Sequence, residues 1–514
     1  MSKPNIIFIL CDDLGYGDVS TLNPDSKIQT PNLDTLASNG IKFTDAHTTS
    51  AVCTPSRYSV LTGRYNFRSR MKQGVNGGYS PPLIEEDRLT VAQMLKDNGY
   101  YTAVVGKWHL GLSWKTEDGY AEGPDAIDTK HVNYNIDFTA PIKNGPLTNG
   151  FDHFWGISAS LDMPPYVYLE DDTPVAVPEG TDYHQFAPNV NGLSIPQNDP
   201  DNTAGRPGPV QDGFHADKVL ADITDHAVSV VDDASKKEQP FFLYVPFTAP
   251  HTPVAPSKDF IGRSGTNDQY LDFVLEVDYS VGRIAAAVKA AGATENTLII
   301  FTSDNGPERF MHARKTEIDH YSAAQFRGCK RDNWDGGHRV PFLAQWPAQI
   351  SANSESSQTV SLVDFFATAA AIVDADIPDT AAEDSFNLLP ALLGTATDPI
   401  RETTIHHSAS GCFAIRKGDW KLLIHQGSGG NAYPDFTDES PVQLYRITDD
   451  EGEDKNVHED HPEIVKELAT DFLQIVESGR STPGGNQPNH ANDNRWKQVN
   501  AAIDALSEVG VSIA

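Results

Sequence analysis

The chain has 514 residues, 39% apolar and 21% charged, an ordinary folded composition with length enough for a large core. Its 39 basic and 71 acidic residues leave a formal charge of −32, unrelieved by any Lys/Arg-rich run, which excludes a general binder of nucleic acid or anionic lipid. No apolar stretch reaches the roughly 18 residues of a membrane span, and four cysteines without CxxC or Cys/His spacing make neither a disulfide framework nor a zinc site.

The first predicted element is the apolar strand Ile6–Cys11. It is too short for a signal-peptide core, and two aspartates follow it in place of a cleavage site. The expected location is cytoplasmic if the sequence is complete as written, and periplasmic or secreted if a leader was removed. Helices follow at Thr30–Asn39 and Thr90–Asn98, with Pro31 inside the first start and Gly40 and Gly99 past the ends. Then come strand Thr102–Val105, helix Asp217–Asp232, strand Phe241–Pro246, a helix from about Tyr270 to Ala291, strands Thr297–Thr302 and Pro341–Trp346, and helix Leu362–Val373. Near-continuous apolar strands between helices predict an α/β fold, a large, mostly parallel mixed sheet flanked by helices. Asp118–Asn149 and Thr181–Asp212, rich in Pro, Gly, Asn and Asp, read as long surface insertions. After about Thr395 the texture changes to short alternating strands at Thr403–Ile405, Phe413–Arg416, Trp420–Ile424 and Gln443–Arg446. A polar helix, Pro462–Glu477, and a trailing Gly/Pro/Asn-rich segment complete the chain. The expected division is a catalytic α/β domain over 1–395 and a small α+β domain over 396–514.

Two acidic pairs stand directly after predicted strands, Asp12-Asp13 and Asp304-Asn305. Ligands of open α/β sheets bind outside the carboxyl ends of strands. Three carboxylates and an amide oxygen meeting there make an all-oxygen site for Ca²⁺ or Mg²⁺. Either pair alone is equally well read as a helix or turn cap. Cys53-Thr54-Pro55-Ser56-Arg57, followed by Leu61-Thr62-Gly63-Arg64, reads as a short helix with Pro55 at its first position and Gly63 at its end. That places Cys53 at a helix N-terminus, where the dipole favours an anion or oxyanion. A lone cysteine is otherwise a small buried hydrophobe.

Cys-x-Pro-x-Arg with Leu-Thr-Gly-Arg behind it resembles the signature of the type I sulfatases, of the alkaline phosphatase-like superfamily. The remaining motifs follow in the family's order. Pro4-Asn5-Ile6 through Asp12-Asp13-Leu14-Gly15 resembles its opening strand and metal aspartates. Gly106-Lys107-Trp108-His109-Leu110-Gly111 resembles its Lys/His segment, Ala249-Pro250-His251 its central histidine, and Ser303-Asp304-Asn305-Gly306 its second metal pair. Arg327-Gly328-Cys329-Lys330, leading into Trp334-Asp335-Gly336-Gly337-His338-Arg339, resembles its late lysine segment. The likeness spans roughly residues 4–346, and Gly418-Asp419-Trp420-Lys421-Leu422 fits the family's C-terminal sheet. Cys329 departs from it, standing where a small residue, often glycine, is expected. Ser160 is the best match to the serine that helps bind sulfate, and Asp162 is a candidate substrate contact.

The resemblance implies a sulfuric ester hydrolase in which Cys53 is converted to Cα-formylglycine by a formylglycine-generating maturation enzyme. The metal, Ca²⁺ in preference to Mg²⁺, falls to Asp12, Asp13, Asp304, Asn305 and residue 53. A hydroxyl of the hydrated aldehyde attacks sulfur, His251 or Lys330 protonates the departing alcohol, and His109 takes the proton that lets the diol release sulfate. Arg57 and Lys107 hold the modified residue and its oxygens. A +2 ion with Arg57, Lys107 and Lys330 against Asp12, Asp13 and Asp304 leaves the pocket about +2, which suits an anionic substrate on an acidic protein. The expected substrate is a sulfated small molecule or glycan, with aryl sulfates as surrogates. The acidity is compatible with a marine bacterial enzyme acting on sulfated polysaccharide. The alternatives are a phosphonate or phosphate ester hydrolase of the same superfamily and a non-catalytic carbohydrate-binding relative. Acidic motifs for one metal favour sulfate over phosphate.

Overall fold

The structure, a computed structural model, describes residues 3–116, 119–120, 136–175, 184–185 and 208–511. Most of the two predicted insertions lies outside the described residues. Among the described residues, no helix is long and apolar enough to cross a membrane.

A ten-stranded sheet forms the centre. Its order across the sheet is Ser354–Ser356, Ile41–Phe43, Phe342–Gln345, Thr297–Ser303, Asn5–Asp12, Phe241–Pro250, Tyr101–Lys107, His153–Ile157, Leu169–Glu170 and Thr173–Pro174. The five strands from Thr297–Ser303 to His153–Ile157 run parallel. Phe342–Gln345 runs antiparallel to both its neighbours, and the last two strands form antiparallel pairs, so the sheet is mixed.

Strand Asn5–Asp12 shows why its sequence reads as unbroken apolar. Ile6, Phe8 and Leu10 point into one core, with helices Cys53–Thr62, Val91–Asp97 and Phe365–Val373. Ile7, Ile9 and Cys11 point into the other, with Pro31–Ser38, Ala216–Ala234 and Gln269–Ala290. Alternate side chains face opposite sides of a strand, and here both sides are dry.

The sequence reading ends the central strand at Pro246. The strand in fact continues to Pro250, with all ten residues buried and a register shift opposite Leu10–Asp12. Next to Pro246, Gly106 has φ +136°, and a Cβ there would stand 2.1 Å from the Pro246 carbonyl oxygen. Glycine is therefore required one residue before Lys107.

The second sheet has four antiparallel strands, Thr403–His407, Phe413–Lys417, Trp420–Leu423 and Gln443–Arg446. Helix Pro462–Ser478 covers it with Val465, Leu468, Phe472 and Val476. The supposed trailing segment also contains a helix, Lys497–Glu508, which adds Val499, Ala502 and Leu506 to the same core. Its apolar spacing was overshadowed by the Gly/Pro/Asn stretch before it. Tyr65 and Phe67, just beyond the Cys53–Thr62 helix, belong to this second core as well.

Buried histidines line the join between the sheets, His338, His406, His407 and His425 among them. Burial holds His338 and His406 well below the usual histidine range, and His407 and His425 at about 4. His407 Nε2 lies 2.9 Å from the Lys72 carbonyl oxygen, and His425 Nε2 2.9 Å from Asn333 Nδ2. In the unfolded chain these rings take up protons near pH 6.5. Their contribution is fully present above about pH 6.5 and is lost as pH falls toward 4, by up to about 3 kcal/mol for each of His407 and His425. Urea unfolding followed at pH 7.5, 6, 5 and 4 should show the midpoint falling steadily below about 6.5. A flat midpoint over that window would contradict the buried, neutral assignment.

Candidate active site

The five parallel strands deliver the predicted site residues to one edge. Asp12 ends its strand and Asp13 follows it, Lys107 ends its own, and Asp304-Asn305 and His251 come directly after theirs. Ser160 lies three residues beyond strand His153–Ile157.

Helix Cys53–Thr62 faces this edge, begins at Cys53 and ends on Gly63 at φ +66°. Its cap, Val52, provides no side-chain acceptor. Pro55 is the third helical residue and not the first as the motif implied; it lacks an N–H that the first turn would otherwise leave unpaired. Arg57, one turn after Cys53, falls on the same helix face.

Charged contacts interlock the cluster. Lys107 Nζ lies 2.5 Å from Asp12 Oδ2 and Lys330 Nζ 2.8 Å from Asp13. Arg57 donates from Nε to Asp304 Oδ2 at 2.9 Å and from Nη1 to the Lys107 carbonyl at 3.0 Å. Asn305 donates from Nδ2 to Asp13 Oδ1 at 2.7 Å, which leaves its amide oxygen free. Asp13 adopts φ +66°, left-handed for a residue with a side chain. All these residues are essentially inaccessible.

The donor set fits a hard divalent cation. Asp12 Oδ1 and Asn305 Oδ1 are buried and accept no hydrogen bond among the described residues. Ligand atoms of Asp12, Cys53 and Asp304 lie within 4.8 Å of one another, as do those of Asp12, Asp13 and His251. Burial acts to raise the Asp12 carboxyl, but Lys107, His251, Arg57 and Lys330 together hold it well below the carboxylate range. Asp304 is pushed up to about 7, by burial first and then by the charge of Asp12. Both effects favour the neutral form of Asp304, and a cation held beside it would reverse them.

Two histidines differ in what they can do with a proton. His109, at φ +56°, has Nε2 2.7 Å from the Asn76 carbonyl, so Nε2 carries the proton. Its Nδ1 is buried without a hydrogen-bond partner among the described residues. Burial, then Lys107 and Arg57, keep the ring neutral by holding it well below the usual histidine range. His251 Nδ1 lies 2.5 Å from the Thr252 carbonyl and 3.4 Å from Ser160 Oγ, while its Nε2 is 3.7 Å from Asp13 Oδ2. Asp162 stands half-buried two residues past Ser160.

The Cys53 thiol is pushed up to about 11 by burial, although Lys107 and Lys330 pull the other way. It is protonated at neutral pH and is a poor nucleophile as it stands. Cys329 does not crowd the neighbouring lysine: it is fully buried, its N–H donates to Asp332 Oδ2 at 2.9 Å, and Lys330 still reaches Asp13.

Sequence reasoning did not find the contribution of the second sheet. The Ala51 N–H donates to the His407 carbonyl at 3.0 Å, and Asn431 Nδ2 to the Lys330 carbonyl at 2.8 Å, so both sides of the cluster are tied to it. Nothing in the local sequence links positions so far apart. A second set of metal-type groups, His47, His338 and His406, is also buried. The rings of His338 and His406 stack at 3.7 Å and 9°, so they do not aim at one ion. His47 Nδ1 is hydrogen-bonded to His338 Nδ1 at 3.0 Å, and Lys421 Nζ stands 3.1 Å from His338 Nε2. His47, His338 and Lys421 thus form a hydrogen-bonded seam between the sheets, with the His406 ring stacked on His338.

Comparison with known proteins gives a consistent family. The Sulfatase family profile matches residues 4–375. An N-acetylgalactosamine-6-O-sulfatase of Bacteroides thetaiotaomicron is 34% identical over 503 residues, 93% of each chain. Human arylsulfatase A is 33% identical over 472 residues, 88% of this chain and 83% of its own. A solved Bacteroides thetaiotaomicron structure from work on glycosaminoglycan metabolism superposes with a TM-score of 0.76 at 30% identity, covering 93% of this chain and 99% of its own.

Proposed function

The chain belongs to the sulfatase family, the sulfuric ester hydrolases, and from that premise we propose that it removes sulfate from a sulfated carbohydrate at position 53. The relative named for N-acetylgalactosamine-6-O-sulfate, similar over 93% of both chains, is the observation that carries the carbohydrate reading. Residues 1–395 form the catalytic unit in this reading, and 396–514 a smaller unit that braces it.

The family implies a metal site and a Cys-derived formylglycine. We assign the modification to Cys53 and a Ca²⁺ ion, in preference to Mg²⁺, to Asp12, Asp13, Asp304, Asn305 and residue 53; all-oxygen ligation disfavours soft metals. Together the two groups supply an activated oxygen nucleophile with a second hydroxyl on the same carbon.

The chain's own residues do the rest. Arg57 and Lys107, both fully buried, fix the side chain at position 53 and lower the cost of negative charge there. Lys330 and His251 are the two groups that can give the leaving oxygen a proton. Ser160 steadies the His251 ring and, with Asp162, contacts the bound ester. His109 Nδ1, on a neutral ring and without a partner among the described residues, accepts the proton whose loss frees sulfate.

Release of inorganic sulfate from a panel of 6-O-, 4-O- and 2-O-sulfated sugars, with aryl sulfates and phosphate and phosphonate esters alongside, tests the assignment. The expected result is turnover of at least one sugar sulfate well above every phosphorus ester. Preference for a phosphorus ester would overturn it.

A further inference from the structure

One cation at this site has no part in the scheme above. Arg331 follows Lys330, with its side chain 37% exposed, whereas Lys330 is buried. Its backbone is left-handed, φ +84°, a strained state for a residue with a long side chain. Two hydrogen bonds hold it there: its N–H donates to the Ala51 carbonyl at 2.7 Å, and its carbonyl accepts from the Ala409 N–H at 3.1 Å. Gly430 packs so closely that a Cβ would stand 2.1 Å from the same carbonyl oxygen. Three separate segments thus maintain one strained residue two positions past the buried Cys329.

The side chain is oriented as firmly. Arg331 Nη1 and Nη2 clamp Glu308 Oε1 and Oε2 end-on, at 2.6 and 2.9 Å. Glu308 is itself only 9% exposed at its side chain and accepts from the Arg309 N–H at 2.8 Å. An end-on clamp uses one edge of the guanidinium. The side edge, Nε–H with the outer N–H of Nη, has no partner among the described residues, and its planar fork suits a carboxylate or sulfate. Glu308 cancels much of the net charge, so this edge recognises by direction more than by field.

We propose that Arg331, positioned by Glu308, is a specificity residue that binds a second oxyanion on the sugar carrying or adjoining the scissile sulfate. The proposal rests on the carbohydrate reading above, and it selects multiply anionic glycans over singly sulfated ones.

Three substrates separate the possibilities: a monosulfated monosaccharide, a disulfated one, and a monosulfated disaccharide containing a uronate. Arg331→Gln should raise KM for at least one of the doubly anionic substrates by about 10- to 100-fold with kcat little changed, and leave the monosulfated sugar unaffected. The arm that responds tells whether the second anion is sulfate or carboxylate. Arg331→Lys, which keeps the charge and loses the fork, should recover only part of the loss. An equal change on all three substrates, or no change, in an enzyme that cleaves them would overturn this proposal alone. A wild type that cleaves aryl sulfate and no sugar would overturn the carbohydrate reading and this proposal with it.

Discussion

Replacing Cys53 by alanine is expected to abolish sulfate release, a loss of at least about 10⁴-fold in kcat, while the protein stays folded. The side chain sits at the first helical position and borders the charged cluster, so shortening it removes little packing, about 1 kcal/mol. Cys53→Ser should be equally inactive in a host that cannot oxidise serine. Its single hydroxyl lacks the geminal partner needed to expel sulfate, and the enzyme would stall after one attack. The unmodified thiol is no substitute, since burial keeps it protonated at neutral pH. Circular dichroism and sulfate release on the two variants decide the matter. Wild-type rates from Cys53→Ala would remove position 53 from the mechanism.

Metal removal is expected to have a comparable effect on rate and a modest one on fold. In the metal-free site Asp12, Asp13 and Asp304 are met by Arg57, Lys107 and Lys330, three charges against three, so the core does not carry a large uncompensated charge. Chelation should therefore leave a folded, inactive protein. Adding back Ca²⁺ at about 100 times its dissociation constant should restore activity and stabilise the fold by roughly 2.7 kcal/mol. Full activity in protein shown by elemental analysis to be free of metal, or stoichiometric zinc in active protein, would contradict the assignment.

Much of this site was legible in the sequence because the fold gathers it by one rule: parallel strands release their chains at one edge, so acidic or basic residues just after apolar runs meet there. Asp12, Lys107, His251 and Asp304 are all of that kind. Arg57 came from the likeness of the Cys53–Arg57 segment to the family signature, and the helix then sets the two residues one turn apart. What stayed hidden depends on contacts between distant segments. The brace from His407 to Ala51, the Asn431 contact to Lys330 and the strained Arg331 have no local signature. Strands of two or three residues, such as Ile41–Phe43 and Ser354–Ser356, are too short to carry a period and form only because neighbours pair with them. Helix Lys497–Glu508 is different: its Val499, Ala502 and Leu506 spacing was present to be read.

The central claim is that residue 53 works as a converted cysteine. Peptide mass analysis of catalytically active protein, on the fragment spanning Phe43 to Arg57, tests it most directly. The account predicts an aldehyde or its hydrate at position 53, in an amount that tracks specific activity across preparations. Full steady-state turnover from a preparation carrying only unmodified cysteine there would contradict it.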